Sequence, residues 1–307
     1  MNELLSKQGK SITDLARILL NAAPGERLPA MQQIATEQDV SVGTVQAAMQ
    51  YLQTEQVVEI ENRGRLGGFV QQLDYLRLWS LAYRRTMTAM LPMPYSRRLE
   101  GLAASLRETF DASSFDLALR FMRGSTARIQ RLHAQQCDWV VTSRYAAEAS
   151  WARGFDVEIV FALGAGTYTI GHVLVLNGSS TLQGGMRIGI DTHSADHAYM
   201  VRQLSRGVPV NFVEIDYSAG LDLLLSGEID VVIWTERDLP VLPDHIHVQP
   251  IAGDLFDSDQ IERLGEAVII SLPGVVAVKH ILQNTLDAGR LREIQREVLE
   301  GRRRPTY

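Results

Sequence analysis

Apolar residues recur at intervals of three and four along residues 11–22, where Ile12, Leu15, Ala16, Leu19 and Leu20 share one face before Pro24-Gly25 ends the pattern. This spacing predicts an amphipathic helix. A shorter helix follows over about residues 31–38, with Ile34 and Ala35 as its apolar positions, and stops at Asp39-Val40. Ser41 is then placed to cap a third helix, roughly residues 42–55, by accepting the amide hydrogen of Thr44. That helix turns Val42, Val45, Met49 and Leu52 to one side and Thr44, Gln46, Gln50 and Gln53 towards solvent. Beyond it the period changes. Val57-Val58-Glu59-Ile60 and Phe69-Val70-Gln71 read as strands, joined by the glycine-bent stretch Asn62-Arg63-Gly64-Arg65-Leu66-Gly67-Gly68. Helix, helix-turn-helix and hairpin predict a winged helix-turn-helix domain over residues 1–72.

Residues 73–85 predict a linker helix that is apolar on nearly every side, through Leu73, Tyr75, Leu76, Leu78, Trp79, Leu81, Ala82 and Tyr83. Such a helix must be covered in water. Packing against the following domain and a contact between two copies of the chain both satisfy that need. From residue 86 to 307 strand-like runs alternate with helical ones. Residues 87–93, 115–122, 139–142 and 157–163 form a first group of strands, and 186–191, 210–215 and 230–234 a second, before the chain returns with 267–270. The alternation predicts a mostly parallel α/β architecture in two lobes, with extended crossings near residues 169–176 and 246–251 and one long closing helix over about 274–300.

The 307 residues, 46% hydrophobic and 21% charged, describe an ordinary two-domain protein, and no apolar run approaches the ~20 residues of a membrane span. Residues 1–10 lack the ordered features of a secretion signal, so the expected compartment is the cytoplasm and no membrane partner is expected. A single cysteine, Cys137, fits a buried structural thiol. The net charge of −6 is unevenly spread: residues 1–74 carry −3, residues 75–110 carry +4 and the remainder −7. The basic excess sits at the junction of the two domains.

The N-terminal pattern resembles the GntR-type family of bacterial transcription regulators. The residues that carry the resemblance are Pro24-Gly25-Glu26-Arg27-Leu28-Pro29, Ser41-Val42-Gly43-Thr44-Val45, Ala48, Leu52 and the run from Arg63 to Val70. Departures occur at Ala30-Met31, where the family usually has Ser-Glu, at Gln46, where Arg usually follows Thr-Val, and at Gln56, usually Gly. The resemblance implies double-stranded operator DNA as a partner and a homodimer as the working form. In that role the start of the third helix would enter the major groove, with Ser41, Gly43, Thr44, Gln46 and Ala47 as candidate contacts. Arg27, Arg63 and Arg65 would reach phosphates or the minor groove. The C-terminal pattern resembles the type 2 periplasmic-binding-protein-like domains used as effector sensors. Its stretch Leu91-Pro-Met-Pro-Tyr-Ser-Arg-Arg-Leu-Glu-Gly-Leu-Ala resembles the opening of the C-terminal domain of YhfZ-like regulators.

In such α/β folds ligands lie at the carboxyl ends of strands, where helix N-termini present free amides to anions. Four strand ends qualify: Tyr95-Ser96-Arg97, Arg123-Gly124-Ser125, Thr142-Ser143-Arg144 and Asp191-Thr192-His193-Ser194. Their hydroxyls and basic groups suit a small carboxylate or phosphate ester, so a small anionic effector is expected, with no cofactor and no metal. His193-Ser-Ala-Asp-His197 lacks the Glu of the metalloprotease motif and reads as a capped helix, and Gly164-Ala-Gly166 misses the dinucleotide fingerprint and reads as a bend or ligand-facing turn. The terminal Gly301-Arg-Arg-Arg-Pro reads as a solvated tail. A transcription regulator, not an enzyme, is therefore the expectation. An α/β enzyme, or a small-molecule-binding protein whose winged helix contacts protein, is the alternative.

Overall fold

A computed structural model of the chain describes residues 7–83, 85–113, 115–251 and 256–307. Residues 1–6 of the stretch considered for a secretion signal, and Arg84 of the linker, lie outside them. The chain divides into two compact units, residues 1–87 with 274–285, and residues 88–273 with 286–307.

The first unit contains α1 (Lys7–Leu20), α2 (Met31–Gln38), α3 (Val42–Thr54), the antiparallel strands β1 (Val58–Asn62) and β2 (Gly68–Leu73), and α4 (Tyr75–Tyr83). Leu15, Leu19, Ile34, Val45, Ala48, Leu52, Val70 and Leu78 are completely buried and form its core. Ser41 caps α3 by accepting the Thr44 amide at 3.2 Å. At the other end of α3 the Val57 amide returns to the Leu52 carbonyl and the Gln56 amide to that of Gln53, which closes the helix as a Schellman motif. Gln56 therefore takes the left-handed conformation, with φ of 56°. Asp39 does the same for α2, with φ of 53°.

The apolar face of α4 is covered within this unit, by α1 and by a helix from far along the chain, α11 (Val276–Thr285). Tyr75 of α4 donates its hydroxyl hydrogen to the Ala22 carbonyl at 3.0 Å and lies 4.9 Å, ring to ring, from His280 of α11. The single closing helix expected over 274–300 is thus two helices in two units. The break falls at Asp287, whose side chain accepts the Arg290 amide at 2.7 Å and starts α12 (Ala288–Leu299) as a fresh helix.

The second unit has two lobes, each built on a five-stranded sheet. The first lobe orders its strands β4-β3-β5-β12-β6, from β3 (Met87–Leu91), β4 (Leu117–Phe121), β5 (Trp139–Ser143), β6 (Glu158–Ala162) and β12 (Ala267–Ser271). Its helices are α5 (Arg97–Ala112), α6 (Ser125–His133), α7 (Arg144–Trp151), α10 (Ser258–Gly265) and α12. The second lobe orders its strands β11-β7-β10-β8-β9, from β7 (His172–Asn177), β8 (Arg187–Ile190), β9 (Asn211–Glu214), β10 (Val231–Thr235) and β11 (Ile246–Pro250), with α8 (Ala195–Leu204) and α9 (Gly220–Leu225).

Both sheets are mixed rather than mostly parallel. β12 runs antiparallel to β5 and β6, and β7 antiparallel to β10 and β11, while β3–β5, β8–β9 and β8–β10 are parallel. The antiparallel strands β7 and β12 are those reached by crossing between the lobes, and such a return needs no right-handed helical crossover. The crossings lie beside these strands, since residues 172–177 and 246–250 belong to the sheet itself. The C-terminal arginines are also placed differently from the expectation of a solvated tail. Arg303 pairs with Glu108 and Glu297, each at 2.6 Å, and the Tyr307 ring lies 5.3 Å from that of Phe121. Among the described residues no helix is long and apolar enough to cross a membrane.

Candidate functional site

Two surfaces carry candidate residues. On α3, Gln46, Ala47, Gln50 and Gln53 are exposed, whereas Thr44 is half-buried and shares a 2.8 Å hydrogen bond between its hydroxyl and that of Ser41. Ser41 and Gly43 stand exposed at the start of the same helix. The connection between β1 and β2 gathers the three arginines. Arg27 forms a backbone bridge to Phe69, and its guanidinium lies beside Gly67. Arg63 sits 4.5 Å over the Phe69 ring and donates twice to Glu61, through Nε at 2.9 Å and Nη2 at 2.7 Å. This pairing holds the Glu61 carboxyl below its usual range. Arg65 is exposed in the short helical turn Gly64–Leu66.

The second surface is a cavity of about 150 Å³ between the lobes of the second unit. Helix N-termini from both lobes reach it, each begun by a serine. Ser96 accepts the Leu99 amide at the start of α5, and Ser194 accepts the His197 amide at the start of α8, both at 3.3 Å. Ser125, the first residue of α6, accepts the Ala195 amide of the opposite lobe at 3.1 Å. A serine that accepts through its oxygen keeps a hydroxyl hydrogen to donate.

Next to this contact Gly124, with φ of 78°, packs so tightly that a Cβ there would come 2.9 Å from the His193 carbonyl oxygen. The Thr126 amide donates to that same carbonyl at 3.3 Å. Arg123 and Asp216 form an ion pair across the lobes, and the Ser143 hydroxyl donates a hydrogen bond to the Asp196 carboxylate. The lobes are therefore closed on each other along α6 and α8.

The cavity wall contains buried polar groups. Arg128, 2% exposed, donates to the carbonyls of Val141 and Met122 and to the Tyr168 hydroxyl, at 3.2, 2.9 and 3.1 Å. Asp191 accepts the backbone amides of His193 and Tyr217 at 3.0 and 3.2 Å, so it fixes two loops. The Asp191 amide in turn donates to Nδ1 of His197 at 3.0 Å, which places the imidazole proton on Nε2. Nε2 of His197 is buried. Burial pushes the His197 and His172 imidazoles down to about 4, so both are neutral near pH 7. Burial pushes the Asp196 carboxyl up to about 6 against the opposing pulls of Ser143 and Arg128. Tyr217 and Trp234 stack at 4.5 Å with planes 6° apart and give the cavity an aromatic side.

Of the strand-end residues singled out in the sequence, Tyr95, Ser96, Arg123, Gly124, Ser125, Asp191 and Ser194 line this cavity. The others do not line it, and most are engaged in local bonds. Arg97 pairs with Glu100 at 3.0 Å, Arg144 with Glu266, and Thr192 with Glu214. Thr142 is fully buried in β5, Ser143 is occupied by Asp196 and the cap of α7, and the His193 side chain points largely to solvent. Arg128, Asp196, His197, Tyr217 and Trp234 went unrecognised. His197 belonged to a motif read as a capped helix, which it also is, and Trp234 closed a strand-like run. Gly164 and Gly166, with φ of 96° and 71°, form the bend of the first crossing.

The fold and cavity define a class: a helix-turn-helix unit on the same chain as a two-lobed α/β domain of the binding-protein kind. Residues 23–70 match the family described as "Helix-turn-helix domain", and residues 74–307 the family described as "YhfZ C-terminal domain". The chain belongs to the YhfZ family. It is 31% identical over 306 residues to the uncharacterized protein YhfZ of Escherichia coli (strain K12), covering 99% of this chain and 98% of that protein. The crystal structure of YhfZ from Shigella flexneri superposes with a TM-score of 0.62 at 27% identity, over 76% of this chain and 98% of that one. The fold is shared with the periplasmic aliphatic sulphonate binding protein SsuA from Escherichia coli, at a TM-score of 0.52, 12% identity, and coverage of 71% and 75%.

Proposed function

We propose that this protein is a cytoplasmic transcription regulator. Its N-terminal unit, read as a GntR-like winged helix-turn-helix, binds double-stranded operator DNA as a homodimer. Its C-terminal domain, of the type 2 binding-protein kind, senses a small anionic metabolite. The observation that carries the reading is the pairing, on one chain, of an exposed amide-rich α3 with an interlobe cavity onto which serine-capped helix N-termini of both lobes converge. Support for the GntR-like assignment comes from Gln56, which keeps a left-handed backbone where that pattern has glycine. Binding, not turnover, is the proposed role of the cavity, because Asp191 and Asp196 are engaged in holding loops and helix ends. An effector that favours the closed lobes over open ones would shift the balance between DNA-competent and incompetent forms.

The test is to retain sheared genomic DNA on the purified protein at moderate salt, with and without a metabolite mixture, and sequence what is held. Enrichment of paired half-sites about one helical turn apart supports the proposal. Absence of enrichment under both conditions removes DNA from the function.

A further inference from the structure

The cavity continues into a second compartment of about 300 Å³, with which it shares Ser96, Tyr168, Thr169, Thr235 and Asp238. Arg98, from α5 of the first lobe, and Arg237, from the turn Glu236–Asp238 of the second, face this compartment. Arg98 donates through Nη1 to the Gly166 carbonyl, which leaves most of its five N–H donors available. Arg97 has its charge met by Glu100. Arg98 and Arg237 against Asp238 leave a surplus of positive charge. Burial, and after it the charge of Arg237, lowers the pKa of Arg98, while Asp238 acts in the opposite sense. The start of α5 adds the Ser96 hydroxyl and the first turn of the helix to the same wall. Among the described residues no hydrogen-bond donor reaches the carboxyl of Asp238, which burial pushes up.

We propose that this compartment is a phosphate subsite, in which Arg98, Arg237 and the start of α5 hold the phosphoryl head of a phosphorylated metabolite whose organic part occupies the cavity beside Tyr217 and Trp234. The inference rests on the reading of that cavity as the effector site. Guanidinium groups from two lobes, one of them in the first turn of α5, offer a phosphoryl group more donors than a carboxylate can use. Asp238 supplies discrimination. A phosphate that retains one proton donates it to this carboxylate, whereas sulfate has none to give and meets only repulsion.

The experiment measures the thermal unfolding midpoint of the full chain against inorganic phosphate, with sulfate as comparator at constant ionic strength. The midpoint should rise saturably with phosphate, and R237Q, at an exposed position, should weaken half-saturation by about tenfold or more. D238N should make sulfate as effective as phosphate. Equal half-saturation in R237Q and the parent protein, or no saturable rise at all, overturns the subsite. Failure of the cavity reading looks different: phosphorylated metabolites then stabilise no more than inorganic phosphate, while R237Q still weakens half-saturation by inorganic phosphate.

Discussion

On α3 the groups set out for a partner, Gln46, Ala47 and Gln50, are exposed and take no part in holding the helix, whose core face is Val45, Ala48, Met49 and Leu52. In the interlobe cavity the reverse holds: Arg128, Asp191 and His197 are at most 2% exposed, and their hydrogen bonds shape the wall that a ligand would meet. A surface that reads DNA exchanges water for base edges and phosphates over a wide area, so its side chains stay free until binding. A site for a small molecule must extract its affinity from a few contacts, so those are desolvated and positioned beforehand. The contrast predicts that substitutions on α3 and the hairpin spare stability, whereas substitutions in the cavity wall cost it.

The sharpest test of that contrast is Gly124→Ala. Its backbone conformation is open to glycine alone, and the added carbon would meet the His193 carbonyl. A loss of about 3 kcal/mol in urea unfolding is expected, and a neutral result would mean that the lobes separate without cost. The cavity should also make stability depend on pH. His197 and His172, lowered to about 4, bind protons in the unfolded chain below about pH 6.5 but not in the folded one, so each adds stability as pH rises from 4 to 6.5. Asp196, raised to about 6, works against them between its ordinary value and 6, since the folded chain then holds the extra proton. Two groups against one leave a rise of about 1.4 kcal/mol per pH unit in that window. Replacing His197 by Gln should flatten it, measured as unfolding midpoints from pH 4 to 7.

On the DNA side, Arg65→Ala should leave unfolding unchanged and weaken operator binding by about 1.4 kcal/mol, with the salt slope falling by roughly one. Unchanged binding across several salt concentrations would remove the hairpin from the interface. The smallest effect concerns Gln56. Glycine there relieves a left-handed side chain and should stabilise the first unit by about 0.5–1 kcal/mol, with DNA affinity unaltered.

The helix-turn-helix unit was legible because its signals are local: the Ser41 cap, the stops at Pro24-Gly25 and Asp39, and the three-four spacing each act within a few residues. The strands and helices of the second unit were legible for the same reason, down to the start of α8 behind Ser194. Strand direction was not, because runs such as residues 267–270 read alike whichever way their neighbours point. Nor was the cover of α4. The helix that packs on it lies about two hundred residues away in sequence, and nothing in residues 276–285 marks it as belonging to the first unit.

The candidate site shows the same division. Sequence identified Ser96, Ser143 and Ser194 at strand ends because helix capping needs them there, whatever else they do. It could not separate Ser125 and Ser194, which face the cavity, from Ser143, which is spent on Asp196. Sequence alone determined the elements, their caps and the polar face of α3, since those follow from steric preference and periodicity along the chain. The tertiary structure alone decided which charges are met by a neighbour and which are not. That depends on distances between residues such as Arg98 and Arg237, brought together from separate lobes by the closing of the fold.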